Sequence, residues 1–259
     1  METVIYKVDK LVARVSFNRP EVHNAFNDLM IQELTDLFTQ IKEQRDLRVV
    51  VLTGEGKSFS AGADINWMRE VKDYSFEESF QNSLKLADLF YLIYTLPKPT
   101  IARVNGAAIG GGTGLVAVCD LAIASAAAKF SFSEVKLGLV PAAISPYVIK
   151  KCGEGRAREF FLTGERLSPE KALLAGLVNQ VVPPGDLDGA VDDLVNQLLS
   201  SGPQAIGICK DLLREVPKLS LEEARGYTAR VLAGLRVSAE GQEGTMAFLE
   251  KRKPNWSAE

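Results

Sequence analysis

The chain has 259 residues, 46% hydrophobic and 24% charged, the balance of a soluble globular protein long enough to bury a substantial core. A formal net charge of −3 provides no strong basic field, which argues against a nucleic-acid or anionic-membrane partner. The three cysteines, Cys119, Cys152 and Cys209, are widely spaced, odd in number and without a CxxC, so neither a disulfide framework nor a metal site is expected.

In chain order, residues 4–8 and 11–17 are β-rich runs around Asp9-Lys10 and predict a hairpin. Asn18-Arg19-Pro20 ends the second run. Leu34, Leu37, Phe38 and Ile41 recur at helical spacing and predict an amphipathic helix over about 28–45. Residues 48–53, apolar at their centre, read as a strand covered on both faces. A small-residue loop, Ser58 to Asp64, follows. Ser75-Phe76-Glu77-Glu78 has the capping-box pattern and opens a helix reaching about Tyr94, where Pro97 and Pro99 stop it. Residues 100–104 form the next strand. Asn105-Gly106 turns the chain, and Gly110-Gly111-Gly112 leads into a helix over 113–118, then a strand over 121–124.

Beyond about Arg156 the character becomes helical. Ser168-Pro169-Glu170 sets a capping serine before a proline at the first helical position. Ser220-Leu221-Glu222-Glu223 is a second capping box. A short strand over 177–182 is the exception. No repeat or long linker is visible. The first residues lack a signal-peptide pattern and no apolar run reaches membrane-spanning length, so a cytoplasmic location is expected.

Two glycine-rich loops carry the chemistry. Gly110-Gly111-Gly112-Thr113-Gly114 is neither GxGxxG nor a P-loop, so a nucleotide fold is poorly supported. A glycine run opening a helix aims free N–H groups outward and lets a ligand approach the backbone. The loop Ser60-Ala61-Gly62-Ala63-Asp64 offers a second set of donors. One N–H from each loop could meet at a single oxygen and form an oxyanion hole; two tight structural turns are the plain alternative.

Taken together, these segments resemble the crotonase superfamily of enoyl-CoA hydratases and isomerases. The resemblance runs through Asn18–Ala25, Phe59-Ser60-Ala61-Gly62-Ala63-Asp64-Ile65, Val104 to Gly112, Phe132-Ser133-Glu134-Val135-Lys136-Leu137-Gly138 to Pro141, Leu162 to Glu165, and Phe248-Leu249-Glu250-Lys251-Arg252. It implies an α/β fold, a spiral of repeated ββα units over 1–202, with a C-terminal helical trimerisation region over 203–259. It implies an acyl-CoA thioester as substrate, a homotrimer or dimer of trimers, and no separate cofactor, coenzyme A being part of the substrate. The oxyanion N–H groups map onto Ala61 and Gly111. Backbone around Val22 and at Ala61, Gly62, Ala63, Asp64 and Ile65 would cradle the CoA, and Phe248 and Lys251 would reach a neighbouring subunit's CoA.

Of the two glutamates that usually share hydration in this family, one maps onto Glu134 and the other onto Gly114, which has no side chain. Three readings follow: isomerisation by Glu134 alone, hydration by Glu134 alone, or a CoA-binding protein without turnover. Hydration is favoured, because Ala142-Ala143-Ile144-Ser145-Pro146 with Gly112-Thr113-Gly114-Leu115 resembles bacterial 3-methylglutaconyl-CoA and γ-carboxygeranoyl-CoA hydratases. Such substrates carry a second carboxylate, for which Lys136 and Arg69 are the candidate cations. His23, the sole histidine, falls in the CoA-loop segment and is expected to pack there. Trp67 and Met68 either shape the acyl pocket or fill core.

Overall fold

The computed structural model describes residues 1–257. The expected hairpin forms from β1 (Val4–Asp9) and β2 (Val12–Phe17), antiparallel from Val4↔Phe17 to Asp9↔Val12. Helix α1 (Asp28–Glu43) starts at Asn27, whose side chain accepts the Met30 N–H and so satisfies one of the free donors of the first turn.

Three turns of a spiral come next. The first is β3 (Val49–Gly54), β4 (Ser58–Ser60), α2 (Ile65–Glu70) and α3 (Phe76–Tyr94). The second is β5 (Thr100–Val104), β6 (Ala107–Ile109) and α4 (Gly111–Val118). The third is β7 (Leu121–Ser125), β8 (Lys129–Ser131), a 3-10 turn Ser133–Leu137 and α5 (Ser145–Thr163). In every turn the first strand joins one sheet, the second joins another, and a helix returns the chain. The large sheet has the order β1-β2-β3-β5-β7-β10 and the small one β4-β6-β8-β9, with β9 at Arg166–Leu167 and β10 at Gln180–Val182. This is the α/β spiral of ββα units that the resemblance implies. The three-fold repetition is structural only: packing geometry recurs while residue identity does not.

Alternation along the large-sheet strands builds two cores. Ala13, Val15, Phe17, Val50, Leu52, Ala102 and Val104 face α1, α3 and α4. Their neighbours Val12, Val49, Val51, Ile101 and Ile123 face the opposite way, where α7 (Leu187–Leu199) covers them with Leu187, Val191 and Val195. Burial on both faces is why β3 reads as a continuous apolar run.

Two expectations change here. Ser58–Ser60, read as loop, is strand β4, and the strand expected over 177–182 is confined to Gln180–Val182, because Leu177 and Val178 close the core behind α6 (Pro169–Leu174). The caps at Ser75, Ser168 and Ser220 form as expected, the first and last as full capping boxes. The C-terminal helices α8 (Pro203–Glu215), α9 (Leu221–Val237) and α10 (Ala239–Leu249) differ from the rest. Among the described residues from 203 onward only Ala247 is buried. Leu213, Leu221, Val237 and Phe248 are more than three-quarters exposed. Among the described residues, no helix is long and apolar enough to cross a membrane.

Candidate active site

The small sheet creates the site. Strands β4, β6 and β8 are parallel neighbours, with Ser58↔Ala107, Ser60↔Ala108 and Ile109↔Ser131 in register. The segments leaving their C-terminal ends must therefore lie side by side. These are Ala61 to Asp64, Gly110 to Gly112, and Phe132 to Leu137 with Glu134.

Glycine lets the first two touch. Gly62 has φ 86, and a Cβ on it would meet the Ile109 carbonyl oxygen at 2.8 Å. A Cβ on Gly112 would come within 2.9 Å of the Ser60 Cβ and closer still to its carbonyl. Gly110, φ 53, makes the sharp turn into α4, and its N–H donates to the Ser131 carbonyl at 2.8 Å. Thr113, fully buried, donates from its hydroxyl to the Ala108 carbonyl at 2.6 Å. Substituting Gly62→Ala is expected to cost more than about 1 kcal/mol, since the residue needs a positive φ, and to lower activity by parting the loops. Chemical denaturation alongside a rate assay checks both; unchanged stability would show that the loops can separate freely.

The hydrogen bonds decide which amides are free. The Ala61 N–H donates to the His23 carbonyl at 2.9 Å. Ala61 is therefore not the oxyanion donor expected from sequence: its proton is committed to the adjacent loop. Two residues on, Phe26 N–H takes the Gly62 carbonyl and Asp64 N–H takes the Phe26 carbonyl, at 2.6 and 2.8 Å. Between those two bonds, the Ala63 N–H donates to no protein acceptor among the described residues. The Gly111 N–H, at the first position of α4, likewise has no protein acceptor among them, as the geometry of a helix start requires. The free pair is Ala63 and Gly111.

Glu134 completes the group. A Cβ on Gly110 would lie 3.1 Å from Glu134 Oε1, so the carboxyl stands against the glycine turn. Its Oε2 is buried with no hydrogen-bond partner among the described residues. Burial raises its pKa above the ordinary carboxylate value, opposed by a bond to its own backbone. A half-buried acid in the same cavity as two free amides is suited to hold and move a proton.

These residues line a cavity of about 440 Å³ whose walls include Phe26, Trp67, Leu86, Phe90, Leu139, Pro141 and Ile144. Glu134 is the sole ionisable side chain among the described lining residues. Gly114 lies behind this wall. A Cβ there would sit 2.9 Å from Ile144 Cβ, closer still to its Cγ2, and 3.4 Å from Phe90 Cζ. Ile144 thus fills the space that a side chain at 114 would need. Its pairing with Gly114 could not be read from sequence, since the two are linked only through the α4–α5 packing.

Other expected residues fall elsewhere. Asp64 is 4% exposed and its side chain is structural: the carboxylate accepts from Arg19 and from the Asn66 N–H, both at 2.7 Å, which leaves only its backbone for a ligand. Burial pushes the Asp64 pKa up, but these bonds outweigh it and hold it below the usual value. Arg19 is thereby a linchpin that sequence reasoning missed; it also donates to the Ala25 carbonyl. His23 lies outside the cavity, its Nδ1 3.0 Å from Ser58 Oγ. Val22 ends the short 3-10 turn Pro20–Val22, and Ile65 is 67% exposed at the start of α2. Lys136 and Arg69 do not line the cavity; Arg69 bonds to Asn66 at 3.2 Å. Phe248 and Lys251 are exposed at the end of α10, away from the chain's own cavity. Of the cysteines, Cys119 is buried, with its thiol pushed up to about 12 by burial, Cys152 is half-buried and Cys209 is exposed. Among the described residues, no cluster of three or more His, Cys, Asp or Glu could hold a metal.

Comparison with known proteins gives the same picture. Residues 7–259 match the family described as enoyl-CoA hydratase/isomerase. A solved enoyl-CoA hydratase from Shewanella pealeana superposes with a TM-score of 0.95 at 40% identity, covering 98% of this chain and 96% of that one. A crotonyl-CoA hydratase from Syntrophomonas wolfei is 33% identical over 257 residues, 98% of each chain. A short-chain-enoyl-CoA hydratase from Clostridium acetobutylicum is 33% identical over 256 residues, 98% of this chain and 97% of its own. With a spiral fold, and with two free loop amides and a half-buried acid lining one cavity, the chain belongs to the enoyl-CoA hydratase/isomerase family.

Proposed function

We propose that the protein is an enoyl-CoA hydratase that adds water across the double bond of a 2-enoyl-CoA with an uncharged, apolar acyl chain. One observation carries this reading: Glu134, against the Gly110 turn, is the sole ionisable side chain among the described residues lining the cavity that Ala63 and Gly111, with their free amides, also line.

The chemistry follows from that geometry. The thioester oxygen accepts from the Ala63 and Gly111 N–H groups. Glu134, as carboxylate, takes a proton from water while the water oxygen bonds to the β-carbon. The displaced electron pair moves to the thioester oxygen, and the enolate is held by two donors placed where its charge develops. Glu134 then returns the proton to the α-carbon, so one carboxyl serves both steps and ends as it began. The raised pKa makes it a stronger base and a better proton carrier near neutrality.

Backbone around Val22 and along residues 61–65 is the proposed cradle for the CoA moiety, which supplies binding energy remote from the reaction. The open apolar face of α8 to α10 is proposed to pack in a homotrimer or dimer of trimers, where Phe248 and Lys251 would meet a neighbour's CoA. A second carboxylate on the acyl chain, as in 3-methylglutaconyl-CoA, is less well supported. No cation is found among the described residues lining the cavity, and the charge would face Glu134. A second reading, isomerisation of 3-enoyl-CoA, is favoured by the lone carboxylate, since proton shuttling between two carbons needs no more.

An acyl-CoA panel with product masses tests the proposal. Crotonyl-CoA and 2-hexenoyl-CoA are expected to gain 18 mass units, and 3-methylglutaconyl-CoA to react at least about tenfold more slowly in kcat/KM, a difference of about 1.4 kcal/mol. Double-bond migration with no water added would favour the isomerase. Preference for the dicarboxylic substrate would overturn the uncharged-acyl assignment.

A further inference from the structure

Three buried side-chain polar atoms lack a hydrogen-bond partner among the described residues: Arg48 Nε, Trp67 Nε1 and Glu134 Oε2. Two of the three belong to residues lining the same cavity. Folded proteins rarely leave a buried donor unpaired, because it gives up its hydrogen bond to water without a replacement. Glu134 has a chemical reason to be left open. Trp67 has a comparable setting and no role yet.

Trp67 is 9% exposed and lies on α2, immediately after the loop that holds Ala63. Its placement is fixed. The Asp64 carboxylate caps the helix by accepting the Asn66 N–H, while Arg19 holds that carboxylate in turn. The ring packs into the main core. An indole that serves only as filler is replaceable by phenylalanine or leucine, which carry no polar atom. An indole has one N–H and no acceptor, so a tryptophan held rigidly with that N–H unpaired is built to donate.

We propose that the Trp67 indole N–H is a specificity-determining hydrogen-bond donor to an acceptor oxygen bound in the acyl half of the cavity. Two sources share that chemistry: the water that becomes the β-hydroxyl, and an oxygen atom of the acyl chain itself. The inference rests on the hydratase reading of the site. It goes beyond it by assigning a substrate-facing donor to a residue that the hydratase reading leaves without a role.

The test compares wild type with Trp67→Phe on 2-hexenoyl-CoA and on its chain-matched analogue with an ether oxygen in place of C5. Loss of one buried hydrogen bond is expected to lower the rate about 5- to 100-fold. A fall in kcat on both substrates with KM kept assigns the N–H to the water or hydroxyl oxygen. A fall in kcat/KM for the ether analogue alone assigns it to an acyl oxygen. Equal parameters for variant and parent on both substrates overturn the proposal. Because a phenylalanine can leave a void, Trp67 is also replaced by its benzothiophene analogue, which keeps ring shape and removes only the N–H. If that protein matches wild type on both substrates, the donor role is wrong whatever the phenylalanine variant does. A wild type that turns over neither substrate would defeat the hydratase reading instead, an outcome separable from failure of the Trp67 assignment.

Discussion

Glu134→Gln is expected to lower kcat for hydration by about 10²- to 10⁴-fold, the range for removing a general acid/base, while KM changes little. Glutamine keeps the shape and burial of the side chain but neither takes nor returns a proton. The free amides of Ala63 and Gly111, the proposed oxyanion donors, remain, so residual turnover above the uncatalysed rate is also expected. The same variant has a second readout of opposite sign. Burial raises the Glu134 pKa in the folded protein, so ionising it there costs more than in the unfolded chain. Below the unfolded carboxylate pKa both states are protonated and no penalty exists. The penalty grows as pH rises above that value and is complete above the folded pKa. Glu134→Gln should therefore melt higher than wild type at neutral pH, with the gap closing as pH falls toward 4. An inactive variant that also melts lower at pH 7 would mean that Glu134 supports the fold rather than being strained by it.

Gly114→Glu is the second large effect. The family's other carboxylate cannot simply be restored here. A side chain at 114 begins inside the space of Ile144 and against Phe90, in a fully buried helix. Overpacking of this kind costs about 1–3 kcal/mol, and an unpaired buried carboxylate adds to it. The single variant is expected to be markedly less stable and no more active. Gly114→Glu with Ile144→Ala removes the obstruction, and its stability should recover at least in part. Because Ile144 forms the cavity wall, the double variant should also bring the new carboxylate to the site and raise the ratio of hydration to any isomerisation. Denaturant titration of the single and double variants decides the packing claim. A single variant as stable as wild type would show that Ile144 moves aside without cost and does not set the wall.

The glycine and the isoleucine thus form one unit. At the position to which the resemblance gives a second carboxylate, this chain has a glycine, and the branched apolar side chain of Ile144, the N-cap of α5, fills the room beside it. Absence of an acid at 114 and the apolar wall at 144 are one packing arrangement. This is the physical ground for reading the acyl chain as uncharged.

Legibility from sequence follows the range of the interaction. The capping boxes at Ser75 and Ser220 and the cap at Ser168 involve groups three residues apart, and all three were visible in the chain. The hairpin of β1 and β2, the amphipathic α1 and the buried β3 declare themselves by period and composition. The small sheet does not. Its strands Ser58–Ser60, Ala107–Ile109 and Lys129–Ser131 are three residues each and rich in small side chains, too short for a period to show. That sheet nevertheless aligns the three loops of the site.

Sequence by itself determined the family and the spiral fold it implies, and it pointed to Glu134, Gly111 and Gly114 as the positions of the proposed acid, one proposed donor and the absent carboxylate. These reside in local motifs whose order along the chain is specific. Tertiary structure alone decided that Ala63 rather than Ala61 has the free amide, because the acceptor that consumes the Ala61 proton, the His23 carbonyl, comes from another loop. It alone decided that Asp64 is locked by Arg19, that Ile144 occupies the room at Gly114, and that the Trp67 N–H is left unpaired. Each depends on which group stands opposite across a gap of a few ångströms. That is a property of packed elements distant along the chain, and no residue carries it in its own identity.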